Sequence, residues 1–357
     1  MEIDVLVVGA GPAGCTTARY CSDKRLDVMV IDRRKEIGYP VQCGEFLPDT
    51  KEMYTIFPRS MDLEELFTVD GDLVAGETNH VEFVSPKRRT YRCDFSGKVL
   101  DRRRFDKHLA KLAEEAGARV EKGVSLEAVK DGVAMTSTGR VRAKVVVAAD
   151  GPNSRTARGA GLANPTWRYP AVTCQARGSF EQAVRMYFGS VAPGGYAWVI
   201  PKRGGANVGV GVNPLLSDES PRAQLERFIG MLGCDYSDLT MGIVPMSGPV
   251  KETVRGNTLL VGDSAGFVMP TNGGGIPTAM IAGRMAGKTI KDHLLKGEPL
   301  ADYEARWRTV LEKPLKTGLW TKRLADMFFP RDAMLELAMM VIGARGLDRA
   351  IRCKRVF

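Results

Sequence analysis

The stretch from Ile3 to Asp32, IDVLVVGAGPAGCTTARYCSDKRLDVMVID, limits the fold more than any other part of the chain. Residues 3–8 form an almost unbroken apolar run, the character of a parallel strand covered on both faces. Gly9, Gly11 and Gly14 follow at G-x-G-x-x-G spacing, then a helical stretch, then a second apolar run ending on Asp32. Strand, glycine turn, helix and strand make a βαβ unit. In such a unit the first glycine permits the tight turn and the second lets backbone approach a pyrophosphate. The third allows close contact of helix and strand. The helix N-terminus offers N–H groups and a partial positive charge to the phosphates. Asp32, twenty-three residues beyond Gly9, is placed to accept hydrogen bonds from an adenosine ribose.

The α/β character breaks off after this unit and later returns. Residues 49–92 are irregular and polar, with alternation in HVEFVS and RTYRCDF that suggests antiparallel strands. DRRRFDKHLAKLAEEAGA reads as an amphipathic helix carrying Phe105, Leu109 and Leu112 on one face and stopping at Gly117. VRAKVVVAADG is again a buried strand. From about 160 to 250 the signal is alternating: AVTCQARGSF, AVRMYFGS, GYAWVIPK and ANVGVGV read as an antiparallel sheet. NTLLVGDSAG and a helix rich in small residues then resume the α/β pattern. The order implies a discontinuous Rossmann-type nucleotide domain at 1–70, 93–160 and 251–298, with an inserted antiparallel-sheet substrate domain at 71–92 and 161–250. Residues 299–357 read as a helical tail.

Composition narrows the chemistry. The seven cysteines are odd in number and lack C-x-x-C spacing, and the three histidines do not cluster with them, so neither disulfides nor a metal site is expected. Net charge is +9, which favours anionic partners, but no nucleic-acid motif accompanies it. No run of eighteen apolar residues and no leader-like start are present, which places the expected location in the cytoplasm. The mixed apolar and basic tail allows peripheral contact with a membrane surface as a secondary expectation.

Three motifs in order carry a resemblance. The G-x-G-x-x-G turn, the ADG turn at Asp150–Gly151, and Gly262–Asp263 followed by Asn272-Gly273-Gly274-Gly275 resemble FAD-dependent oxidoreductases of the p-hydroxybenzoate hydroxylase fold. The resemblance implies FAD as cofactor, with Asp263 on the ribityl chain and Arg102 of R-x-x-F-D near the phosphates. An always-charged bidentate donor at a helix start suits that place. It also implies FAD contacts at Gly9, Gly11, Ala13, Gly14, Asp32, Cys43, Gly44, Phe46, Leu126, Gly275 and Ile276.

Two local motifs choose among the reactions this fold hosts. PVQCGE at 40–45 resembles the P-x-x-C-G-E of geranylgeranyl reductases, and YAWVIPK resembles their Y-x-W-x-F-P-K at Tyr196, Trp198, Pro201 and Lys202. Ile200 stands where that family usually has Phe. The run is also similar to the W-x-W-x-I-P of flavin-dependent halogenases, and an aromatic monooxygenase or a non-enzymatic flavin sensor or scaffold stays open. The reductase resemblance covers roughly residues 1–300 and implies saturation of the isoprenoid chains of archaeal ether lipids.

An isoprenoid alkene is not conjugated to a carbonyl, so hydride delivery from reduced flavin requires a proton for the other carbon. Cys43 is the candidate proton donor, since a thiol of ordinary pKa, about 8.5, is protonated at neutral pH; a small cysteine packed at the flavin edge is the alternative. Tyr196 and Trp198, alternate residues on one strand face, would line an apolar channel, with Lys202 meeting an anionic headgroup at its mouth. The chain carries one G-x-G-x-x-G, so the electron donor (NAD(P)H, ferredoxin or F420) is open.

Overall fold

The computed structural model describes residues 1–356. Two eight-stranded sheets organise the chain. The first runs Val254–Arg255, Thr258–Leu260, Gly139–Ala148, Glu2–Val8, Val28–Asp32 and Arg119–Lys122, with the pair Leu126–Lys130 and Val133–Thr136 extending from Gly139–Ala148. Its centre is parallel, and Val5, Leu6 and Val7 have no exposed surface. That is the double-sided burial their continuous apolar run demands. The helix Ile276–Lys296 lies against the helix Pro12–Cys21. Its small residues are what permit this: a Cβ at Gly283 would stand 2.7 Å from the Ala13 carbonyl oxygen, and one at Gly287 2.6 Å from that of Thr17.

The second sheet runs Tyr236–Pro245, Arg168–Arg177, Gly205–Gly211, Tyr196–Lys202, Val184–Tyr187, Val74–Val84, Thr90–Leu100 and Phe46–Pro48. Its pairs are antiparallel except Val184–Tyr187 with Val74–Val84, which is parallel because the chain reaches it by a long connection through the first domain. Three features differ from the sequence expectation. The sheet claims residues up to Leu100 and takes Phe46–Pro48 as an edge, so the boundary expected at 92 falls inside a strand. The segment 161–250 includes the helix Pro221–Leu232, whose Leu225, Phe228 and Ile229 cover one sheet face. It also includes the strand Tyr236–Pro245, whose alternation was too polar to read.

The tail is helical. Trp307 and Tyr303 are fully buried, and the Trp307 indole donates to Thr253 Oγ1 at 2.8 Å. The helix Asp332–Ile351, interrupted at Gly343 (φ 58°), packs against the strand Thr90–Leu100 and closes the open face of the second sheet. Among the described residues no helix is long and apolar enough to cross a membrane.

Candidate active site

A cavity of about 1370 Å³ opens at the end of the first sheet and continues under the second. That exceeds the ~300–1,000 Å³ of a single small-molecule pocket, so it has room for a dinucleotide and a second ligand.

The first half of the cavity is a cradle. Gly9 takes φ 108°, and a Cβ at Gly14 would overlap the Gly9 carbonyl, so these two glycines close the turn and bring helix to strand. Gly11 lines the cavity with open space where its Cβ would be, and caps the helix Pro12–Cys21 without any side-chain bond to its N–H groups. Asp32 Oδ2 accepts from Ala10 N and Oδ1 from Arg34 N, each at 2.8 Å, which fixes the carboxylate at the cavity wall. Ala13, Leu126, Gly275 and Ile276 also line this part. A second long helix, Ile276–Lys296, starts there with Gly275 as its cap and no capping side chain. Two uncapped helix N-termini facing one cavity suit an anionic ligand. The Asp150 carboxylate, also at the wall, has a buried Oδ1 without a partner.

Between the helix starts sits a charged cluster. Arg102 begins the helix Arg102–Glu115 and holds Asp106 in a bidentate pair, 2.9 Å on each arm. Burial pushes the Asp263 carboxyl up to about 6, with Arg102 pulling it the other way. Burial likewise raises the Cys43 thiol, again against the pull of Arg102. Cys43 is therefore protonated at neutral pH and stands where the cradle meets the second half of the cavity.

That second half is apolar. Phe83, Met186, Trp198 and Gly209 lie opposite one another across neighbouring strands on a single face. A Cβ at Gly209 would overlap the indole, so this glycine makes the space in which Trp198 lies flat. Phe95, Phe188 and Tyr196 extend the wall, and Leu335, Met339 and Ile342 close it from the tail. Tyr196 donates to the Asn272 carbonyl oxygen, tying the wall to the glycine-rich loop that opens the long helix.

Two expected wall residues are elsewhere. Pro201 points to the opposite sheet face from Trp198, as the two-residue period requires, and does not line the cavity. Lys202 does not meet the cavity mouth either: its ammonium donates to Glu45 Oε2 at 2.7 Å. Glu45 is buried, holds φ 67°, and also accepts from Asn207 Nδ2 at 2.8 Å and Gln175 Nε2 at 3.3 Å. Glu45 and Asn207 were both missed in the sequence. Glu45 belonged to the quoted P-V-Q-C-G-E, and Asn207 is the one strongly polar residue of ANVGVGV, which was the available signal. Gly44 and Phe46 flank Glu45 at the cavity wall.

The FAD binding domain family matches residues 2–313. Digeranylgeranylglycerophospholipid reductases align over most of the chain. The second such protein of Methanosphaera stadtmanae is 35% identical, covering 85% of this chain and 82% of that one. The first of Methanopyrus kandleri is 32% identical over 99% and 97%. The chain belongs to the digeranylgeranylglycerophospholipid reductase family of FAD-binding proteins. It is an FAD-dependent oxidoreductase. A geranylgeranyl bacteriochlorophyll reductase-like protein of Thermoplasma acidophilum shares the reductase's fold with a TM-score of 0.82 at 29% identity, covering 96% and 91%. A flavin-dependent brominase superposes with a TM-score of 0.73 at 17% identity, a likeness of fold alone.

Proposed function

We propose that the reductase saturates carbon–carbon double bonds in the isoprenoid chains of a digeranylgeranyl ether lipid. The observation that carries this reading is the continuity of a dinucleotide cradle with an apolar chamber walled by Phe83, Phe95, Met186, Phe188, Tyr196 and Trp198, with Cys43 at the junction. The cradle fits FAD: the N–H groups of the Gly11 turn would take the pyrophosphate, Asp32 the ribose and Asp263 the ribityl hydroxyls. Bound in reduced form, FAD supplies hydride. The chain's own part is to hold an alkene in a dry chamber, orient it on the Trp198 wall and provide a proton from Cys43 Sγ. The relatives' names support the substrate class, and the aromatic and aliphatic side chains that dominate the chamber wall support it independently.

The reading extends to where the lipid enters. Leu337 and Val341 are 61% and 68% exposed on the outer face of the helix Asp332–Ile351, with Met334 and Met340 beside them and exposed Arg331 and Arg345 at either end. Met334, Leu337 and Val341 also reach the cavity. An apolar helix face rimmed by cations, open to an apolar chamber behind it, suits a membrane surface that carries the substrate.

The test is direct: reduce the flavin-loaded protein with dithionite and add a geranylgeranyl ether lipid. A mass gain of two hydrogens per double bond is expected. Oxygen consumption or halide incorporation without saturation would overturn the reading.

A further inference from the structure

We infer that Asn207 is a positioning residue for the reduction, locking the Cys43 peptide against the Trp198 indole. Asn207 has no exposed surface and does not line the cavity, so it acts through others. Its amide is fully used. Oδ1 accepts from Trp198 Nε1 at 2.7 Å and from Thr173 Oγ1 at 2.8 Å; Nδ2 donates to the Cys43 carbonyl at 2.9 Å and to Glu45 Oε2 at 2.8 Å. The indole N–H can only donate, which fixes the orientation of the amide. One side chain therefore spans the loop bearing the proton donor and the strand bearing the substrate wall.

The surroundings make this arrangement rigid. Glu45, held in the left-handed region, is bound by Lys202, Gln175 and Asn207 together, so the Cys43–Glu45 loop cannot shift without breaking a buried network. Gly44 sits close under the wall: a Cβ there would stand 3.2 Å from Ile200 and 3.7 Å from the Trp198 indole nitrogen. Loop and wall are in near contact, and Asn207 supplies the bonds that set their register. The inference rests on the reading of Cys43 and Trp198 as facing the reacting alkene.

Replacing Asn207 by Asp keeps the shape but turns two donors into acceptors. The new carboxylate would face the Cys43 carbonyl and the Glu45 carboxylate; the titratable and charged groups around it are Glu45, Lys202 and Cys43. A carboxyl beside another carboxylate in a buried site gains a proton more readily, and once protonated recovers one of the two donors. For flavin-loaded Asn207→Asp we expect kcat reduced about tenfold to a hundredfold near pH 8, with partial recovery as pH falls towards 6, where the wild type gains nothing. N-ethylmaleimide labelling of Cys43, followed by peptide mass, should quicken in the same variant with flavin content unchanged. Asn207→Ser, smaller and uncharged, serves if Asn207→Asp does not fold: it should speed labelling and lower kcat without the pH recovery. Folded, flavin-loaded variants with wild-type labelling rate and wild-type pH profile would overturn the inference. If the wild type reduces no polyprenyl lipid, the functional reading fails, while the labelling measurement still reports on the Asn207 lock.

Discussion

Lys202 and Glu45 form an ion pair at 2.7 Å in which 2% of the Glu45 side chain and 19% of that of Lys202 reach solvent. The carboxylate also binds Asn207 and Gln175, so it is a structural anion at the base of the active-site loop. Removing the cation alone leaves a buried charge without a counter-ion. Lys202→Met is expected to destabilise the protein by about 3 kcal/mol, read as a lowered urea midpoint. Lys202→Met combined with Glu45→Gln should regain much of the loss, because the uncompensated charge is gone. A single variant as stable as the wild type would mean that the pair contributes nothing.

Gly209 and Trp198 face each other across two paired strands, and the indole occupies the volume a Cβ would need. The indole cannot retreat without losing its bond to Asn207. Gly209→Ala should therefore cost roughly 1–3 kcal/mol of stability through overpacking, seen in thermal melts. It should also lower turnover with flavin content intact, and shift tryptophan emission to the red as the indole is displaced. Loss of flavin instead would assign Gly209 to the cradle.

How much of this was legible in the sequence depends on the range over which each signal acts. The cradle is local: Gly9, Gly11, Gly14 and Asp32 lie in one βαβ unit, and their spacing specifies their geometry. Tyr196 and Trp198 share a face because strands alternate, and the same rule puts Pro201 on the other side. Lys202 illustrates what spacing cannot give. It follows the face of Trp198, but its partner, Glu45, arrives from a loop 157 residues away, and such a pairing leaves no local pattern. The helix Asp332–Ile351 likewise reads as a mixed apolar tail until its packing divides it. Leu335 and Met339 are then buried against the chamber, while Leu337 and Val341 touch its edge and stay largely exposed.

The exposed face of that helix gives a separable test. Met340 on that face, and Met327 at the end of the preceding helix Lys313–Asp326, are 45% and 64% exposed and do not line the cavity. Met327→Asp combined with Met340→Asp is expected to weaken co-sedimentation with anionic vesicles at least about tenfold, since each buried apolar side chain contributes ~1.5–3 kcal/mol and the new charges repel the lipid. Reduction of vesicle-embedded lipid should fall with it, and reduction of detergent-dispersed lipid should not. Equal loss on both substrates would remove the membrane from the account.

Asp263 predicts a pH dependence in flavin-free protein. Its carboxyl titrates at about 6 in the fold, above the ordinary carboxylate value of 3.8, because burial disfavours its charge. The folded state thus holds a proton that the unfolded chain releases at lower pH. The stability this gives is complete below about pH 4, declines as pH rises through 6, and is level beyond. Thermal melts of flavin-free protein should show this decline, and Asp263→Asn should abolish it. Adding FAD should also flatten the slope, because ribityl hydroxyls donating to the carboxylate favour its charged form. A decline that survives in Asp263→Asn would trace to another group.

As the proposed general acid, Cys43 must hold its proton until the moment of transfer. Burial holds its thiol above the ordinary range of about 8.5 to 9.0, Arg102 opposes the shift, and the Glu45 N–H donates to Sγ at 3.2 Å. That bond stabilises the thiolate left after transfer, while the raised pKa keeps the thiol protonated beforehand; the balance suits a general acid. Turnover of a geranylgeranyl lipid by flavin-loaded protein should accordingly stay level up to pH 9 and fall only beyond it. Cys43→Ala should retain FAD and lose about a hundredfold or more in turnover. Cys43→Ser, whose hydroxyl is a far weaker acid, should restore little. Solvent deuterium sharpens the assignment: a kinetic isotope effect on product formation is expected in the wild type. In Cys43→Ala, any residual turnover should draw its proton from water and lose the alkaline limb. Wild-type turnover in Cys43→Ala with FAD in place would leave the cysteine as packing at the flavin edge, and the proton would come from another group on the chamber wall.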